Sequence, residues 1–312
     1  MASNKRLFFI NYHPIVILLS VIFIITATKK LYCILCSTLY LITVLNNKKM
    51  NTLKKAATFQ AIVIIVATLI FSITGCGIHI SGKNPVEKNE LWTSLVKKHV
   101  GADGLVDYKG FIADKVKLQE YLDILSANPP DKKWTDNEKI AYWLNAYNAF
   151  TIKLIVDHYP VKSIKDLGAK HQIIFINTPW DKKFFEIGGK TMTLNRIEHR
   201  ILRKEFTEPR IHFALNCASM SCPKLRREAY DGSRLDEQLT DQAKTFLSDK
   251  SRNEIDTKTP KLSAIFDFYG KDITKWSGKS LIEFINQYTP VKIAANAEID
   301  YLDYNWNLND KK

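Results

Sequence analysis

Two cysteines and a histidine carry the chemistry that this chain can offer. Cys217 and Cys222 flank the small-residue run Ala218-Ser-Met-Ser221, and His212 stands just upstream in Arg210-Ile-His-Phe-Ala-Leu-Asn216. A thiolate there would be a nucleophile, a pair of thiols a disulfide, and thiols with imidazole a metal site; the residues leave all three open. Ile211, Phe213 and Leu215 alternate with His212, Ala214 and Asn216, which predicts a half-buried strand ending at Cys217. Pro223 biases Cys222 toward an extended conformation.

A nucleophile needs a base, an orienting group and donors for an oxyanion. His199 or His212 is the candidate base, and Glu138 or Glu198 the orienting carboxylate. Asn145 or Asn148 is the candidate oxyanion donor. Both amides fall in an arc with Ala141, Leu144, Ile152 and Ile155 on one predicted helix, so both are expected to be buried. A buried amide without partners costs a few kcal/mol. Each should therefore hold a defined hydrogen bond, either to a loop backbone or to a developing oxyanion.

The elements that must position these groups follow from period and punctuation. Thr135 and Asp136 offer N-caps for a helix running to about Asp157 and closed by Pro160, with Lys139, Ala146 and Lys153 on the face toward water. Leu91 to Val100 and Val116 to Leu125 also have helical spacing, with a glycine-punctuated stretch from Gly101 to Tyr108 between them. Lys183 to Thr193 reads as a β-hairpin turning at Gly188-Gly189. Thr193 then caps a helix from Leu194 to Phe206, whose apolar arc takes in Glu198 and leaves His199 at its edge. Ser233 is expected to cap a helix ending at Leu247, and Leu281 to Tyr288 forms a last short helix. Lys261 to Phe268 is apolar, and the aromatic tail Ile299 to Asn309 is expected to be docked. The expected fold is a single helix-rich α+β domain with a small β-sheet over residues 91–309.

The 312 residues are charged unevenly. Residues 1–76 hold eight Lys or Arg and no Asp or Glu among long apolar runs, and removing them reduces the formal charge from +13 to +5. Such a modest balance gives no footprint for nucleic acid. Met50 to Gln60 is a basic n-region and Ala61 to Phe71 an apolar core too short to span a bilayer comfortably. Ile73-Thr-Gly-Cys76, which follows at once, resembles the lipobox of bacterial lipoproteins. That resemblance implies cleavage before Cys76, a lipid on its thiol, and a membrane-anchored protein of the bacterial cell envelope facing periplasm or exterior. Residues 50–75 are then the signal peptide and 76–90 the lipidated cysteine and its tether. Residues 1–49, a hydrophobic upstream extension with Cys33 and Cys36 inside an apolar run, precede a leader already complete, so Met50 is the expected start; the competing account takes them as genuine membrane segments.

The chain is similar to the family catalogued as domain of unknown function 547. The matching stretches are Asp103–Tyr108, Glu138–Phe150, Ile197–Arg203, Pro209–Leu225 with both cysteines, and Tyr304–Asn309. Asn305 replaces an aspartate expected in the closing motif. No activity attaches to the resemblance, so two functions compete. One is a cysteine-dependent hydrolase or acyltransferase, with Cys217 as nucleophile and envelope peptide or amide bonds as substrate. The other is a non-catalytic envelope binding or scaffold module with a Cys217–Cys222 disulfide, suited to an oxidising compartment. A metal site from His199, His212, Cys217 and Cys222 is a third reading and lacks paired ligand spacing; no cofactor motif is read.

Overall fold

The computed structural model describes residues 85–168 and 178–311. Cys33, Cys36, Met50, the Ile73–Cys76 box and the tether up to residue 84 lie outside the described residues. Within them α1 (Pro85–His99), α2 (Tyr108–Ala113) and α3 (Lys115–Ala127) precede the long helix α4 (Asp136–Val156). Trp92, Leu95 and Val96 of α1 are buried at helical spacing, and Trp92 stacks on Tyr121 of α3 with ring centroids 5.3 Å apart. No helix among the described residues is long and apolar enough to cross a membrane.

α4 begins where Thr135 and Glu138 cap each other: Thr135 N donates to Glu138 Oε2 at 2.7 Å and Glu138 N donates back to Thr135 Oγ1. Its centre is enclosed on every side. Ala146, expected toward water, is fully buried, and Lys153 is only partly exposed. A stripe needs one wet face, and helices, hairpin and the loop after Phe213 together leave α4 none. The antiparallel hairpin β1 (Phe185–Ile187) and β2 (Lys190–Met192) covers one part of it, with Phe185 stacked on Phe150 at 3.8 Å. Its turn needs left-handed backbone at both central positions, which Gly188 and Gly189 supply with φ of 58° and 70°.

The next segment departs from an ordinary helix. Thr193 Oγ1 accepts from Arg196 N at 3.0 Å, as a cap should, but Arg196–Leu202 is a π-helix that runs into a single α-turn, α5 (Arg203–Glu205). Ile197, Glu198, Ile201 and Leu202 all face inward. Such wide turns are rare and concentrate at functional sites.

The expected strand over Arg210–Asn216 does not form. Pro209–Phe213 is a 3-10 helix, with Pro209 in its first turn and Glu208 accepting the Arg210 N–H at its start. Every residue from Ile211 to Asn216 is buried, so the apolar alternation had no wet side to mark. α6 (Leu235–Ser248) follows; its N-cap is Arg234, while Ser233 Oγ donates to Asp231 instead of capping. β3 (Lys261–Ser263) leads into α7 (Ala264–Ser277), α8 (Leu281–Ile285) comes next, and β4 (Asp300–Leu302) pairs parallel with β3. The class is α+β as expected, with two separate two-stranded sheets in place of one.

Two apolar cores result. One is built on α1–α4, the hairpin and the π-helix; the other gathers Phe213, Phe246, Phe266, Phe284 and Ile273 from the 3-10 turn, α6, α7 and α8. The docked tail ties back across the first: Asn309 N donates to Ala218 O, Met220 N to Asn307 O and Val106 N to Asn309 O.

Candidate functional site

The cysteine loop is hung from α4 by an amide. Asn148 Nδ2 donates to Ala214 O at 3.0 Å while its Oδ1 accepts from Asn216 N at 2.8 Å, so one buried side chain pins both ends of a turn. Asn216 in turn donates to Pro223 O and accepts from Ala218 N, closing the loop on itself. Asn309 Nδ2 reaches Asn216 Oδ1, and Tyr108 donates to Asn309 Oδ1. Held this way, Ala218 takes a φ of 64°, a left-handed conformation that a side chain enters at a cost of about 1–2 kcal/mol.

Cys217 and Cys222 are joined by a disulfide, with Cα atoms 6.0 Å apart. The two sulfurs are not equivalent. Cys217 is partly exposed and Cys222 is buried. Two donors meet the buried one: Cys217 N at 2.8 Å and Tyr304 Oη at 3.3 Å. Ser219 Oγ donates to Tyr304 Oη at 3.1 Å, and both hydroxyls lie 3.2 Å from Cys217 Sγ. Burial pushes the Tyr304 phenol up to about 12, so it keeps its proton, and hence its donor, at neutral pH. The Arg252 guanidinium straps the loop through Cys222 O and Met220 O, with Asp249 as its carboxylate partner.

Beside this loop lies a buried polar cluster centred on Glu198. Tyr269 donates to Glu198 Oε1 at 2.6 Å. Burial, and then the Glu198 charge, raise the phenols of Tyr147 and Tyr269 well above their ordinary value. His212 is stacked between Tyr269 and Trp276, at 4.1 and 5.6 Å, with Nε2 3.3 Å from Asp272 Oδ2. Both ring nitrogens are buried without a well-formed hydrogen bond, and burial lowers the pKa of the ring although Asp272 and Glu198 act the other way. Burial would raise the Asp272 carboxyl, but the nearby His212 ring and the Arg203 guanidinium hold it well below the usual range. His199 lies at the rim, its Nδ1 2.7 Å from Arg203 Nη1. A guanidinium can only donate, so that nitrogen is an acceptor and is occupied.

Glu198, His199 and His212 thus share one polar cluster, which Tyr304 links to Cys217, and two candidates lie elsewhere. Glu138, exposed, is spent on the cap of α4, about 15 Å of helix rise from Asn148. Asn145 clamps a different loop, donating to Tyr230 O at 2.8 Å and accepting from Tyr230 N at 2.9 Å. Each asparagine commits its oxygen and one N–H to loop backbone, which is the clamp expected of a buried amide. No group of three or more His, Cys, Asp or Glu suited to a metal ion occurs among the described residues. Sequence reasoning did not single out Tyr147, Ser219, Tyr269, Asp272 or Tyr304 as site residues. Tyr147 and Tyr304 lie inside the matching stretches, where a phenol between two asparagines or two residues before a tryptophan was a usable signal.

His212 makes stability depend on acid in a defined sense. Protonation is penalised in the fold, where Asp272, Glu198, Arg203 and Tyr269 surround the ring, and not in the unfolded chain. Stability is therefore expected to fall as pH drops below 6.5. Asp272, whose pKa is depressed, contributes stability above its unfolded value near 3.9 and loses it only at lower pH. Urea unfolding at pH 7 and pH 5 should show the loss, and His212→Gln should flatten it. An unchanged slope in that variant would assign the loss to other groups.

No curated protein and no solved structure matches this chain. Residues 132–247, which hold Asn145, Asn148, Glu198, His199, His212 and both loop cysteines, match the family model described as protein of unknown function, DUF547.

Proposed function

We propose that this is a lipid-anchored cell-envelope protein whose domain acts through Cys217, as a cysteine-dependent hydrolase or acyltransferase on envelope peptide or amide bonds when its bond to Cys222 is open. The anchor rests on the basic n-region, short apolar core and Ile73–Cys76 box in their proper order. The observation that carries the chemistry is the setting of Cys217 Sγ, partly exposed and 3.2 Å from two hydroxyls. Once the disulfide is open, the Tyr304 or Ser219 hydroxyl can turn its single proton toward a thiolate there, lowering the thiol pKa. The reduced protein should therefore be alkylated at Cys217 by iodoacetamide faster at neutral pH than an unperturbed cysteine. A rate equal to that of free cysteine would sink the nucleophile. Fatty-acid labelling that survives Cys76→Ala would sink the anchor.

A second reading has its own support. No imidazole is hydrogen-bonded to Cys217 among the described residues, His199 Nδ1 is engaged by Arg203, and Glu138 caps a helix. A non-catalytic binding or scaffold module stapled at Cys217–Cys222 needs none of those groups. Closing so small a loop stabilises by about 2 kcal/mol in the chain-entropy account. Reduction that lowers stability without exposing a fast-reacting thiol would favour it.

A further inference from the structure

The two sulfurs differ in a way that gives the disulfide a direction. Thiol–disulfide exchange needs an attacking thiolate that can reach one sulfur and a leaving sulfur that can carry charge. Cys217 is a partly exposed residue, whereas Cys222 is buried. Both donors that the loop directs at Cys222 Sγ, the Cys217 N–H and the Tyr304 hydroxyl, are in place before any reaction. Ser219 donates to that same phenol and so polarises it toward the sulfur. Arg252, bonded to Cys222 O and Met220 O, adds positive charge on the same side, offset in part by Asp249.

We propose that Cys217–Cys222 is a reactive disulfide that exchanges with dithiols, in the envelope the cysteine pairs of other proteins. The proposal rests on the reading above in taking Cys217 as the reactive sulfur, and deepens it by naming what opens the site. A substrate thiolate attacks Cys217 Sγ, the Cys217–Cys222 bond breaks, and Cys222 leaves as a thiolate held by the Cys217 N–H and Tyr304. The substrate's second thiolate then attacks its own sulfur in the mixed disulfide. The substrate departs as a disulfide and Cys217 is left as a thiolate beside Tyr304 and Ser219. Two electrons pass from the dithiol to the protein, and the two substrate protons end on solvent or on the new thiols. Tyr304 serves both halves of the cycle, since its hydroxyl lies 3.3 Å from one sulfur and 3.2 Å from the other.

The test uses the full chain in its oxidised form, incubated with a synthetic peptide carrying two reduced cysteines and, in parallel, with dithiothreitol. Peptide mapping by mass spectrometry assigns each thiol, so Cys33, Cys36 and Cys76 do not confuse the count. One peptide disulfide should form for each Cys217–Cys222 bond lost, without denaturant. Tyr304→Phe should slow the exchange about tenfold, the effect of one lost hydrogen bond to a charged sulfur. In Cys222→Ser, Cys217 has no resolving partner, so a peptide with a single cysteine, offered as its disulfide-linked dimer, should be trapped on Cys217. A native disulfide that opens only in denaturant, or an adduct found on Cys222, overturns the proposal. Cys222→Ser also frees Cys217 without any exchange. Fast alkylation in that variant together with an inert native disulfide would reject the exchange and leave the nucleophile standing, whereas exchange with slow alkylation would do the reverse.

Discussion

Phe213→Ala is expected to lower the unfolding free energy by about 4 kcal/mol, within the range for a buried aromatic cut back to a methyl. Phe213 is fully buried among Phe246, Phe266 and Phe284, with ring centroids 5.2 to 6.3 Å away. Those three rings come from α6, α7 and α8, so the cavity would open where three helices meet and none can collapse into it alone. Urea denaturation of the variant gives the number directly. A loss under about 1 kcal/mol would mean that this aromatic cluster is not formed. Because Phe213 is four residues before Cys217, the same substitution should quicken reduction of Cys217–Cys222 under native conditions. Phe246→Ala, in the same core but farther along the chain from the loop, separates that local effect from general loss of stability.

Asn148→Ala should cost about 3 kcal/mol for a different reason. Little apolar area is lost; what is lost is the partner of two buried backbone groups, Ala214 O and Asn216 N. Each unsatisfied group costs about 1–3 kcal/mol, and the site is enclosed enough that water cannot simply replace the amide. Asn148→Asp should be at least as damaging, since it sets a carboxylate oxygen against the Ala214 carbonyl. Lys139→Ala on the same helix is the control: its ion pair with Asp136 is exposed, and its removal should change stability by no more than about 0.5 kcal/mol. A harmless Asn148→Ala would show that the cysteine loop is held by something other than this clamp. Phe213 and Asn148 grip the same short segment from the two cores, so the double variant should be non-additive.

Much of the scaffold was legible in the sequence, because its signals are local. α3, α4 and the hairpin follow from side-chain period, the Thr135–Glu138 pair and the Gly188-Gly189 turn, all readable within a few residues. Burial of Asn145, Asn148 and Glu198 was also readable, since a helical wheel reports which face a residue shares. The errors begin where a face has no water beside it. Ala146 and the Arg210–Asn216 run were assigned from alternation between wet and dry sides, and tertiary packing made all of their surroundings dry. Glu138, one of two candidate orienting carboxylates, accepts from Thr135 in the helix cap, a partner three residues away.

What the sequence determined by itself was that Cys217 and Cys222 sit within reach of each other and that certain polar groups must be inside. Tertiary structure alone decided which groups meet them. Tyr304 reaches Cys217 across 87 residues, Tyr269 reaches Glu198 across 71, and Asp272 reaches Arg203 across 69. A hydrophobic pattern specifies that a side chain is buried, because transfer from water depends on that residue alone. A hydrogen bond depends on two groups and on the angle between them, and that angle exists only after distant segments have packed.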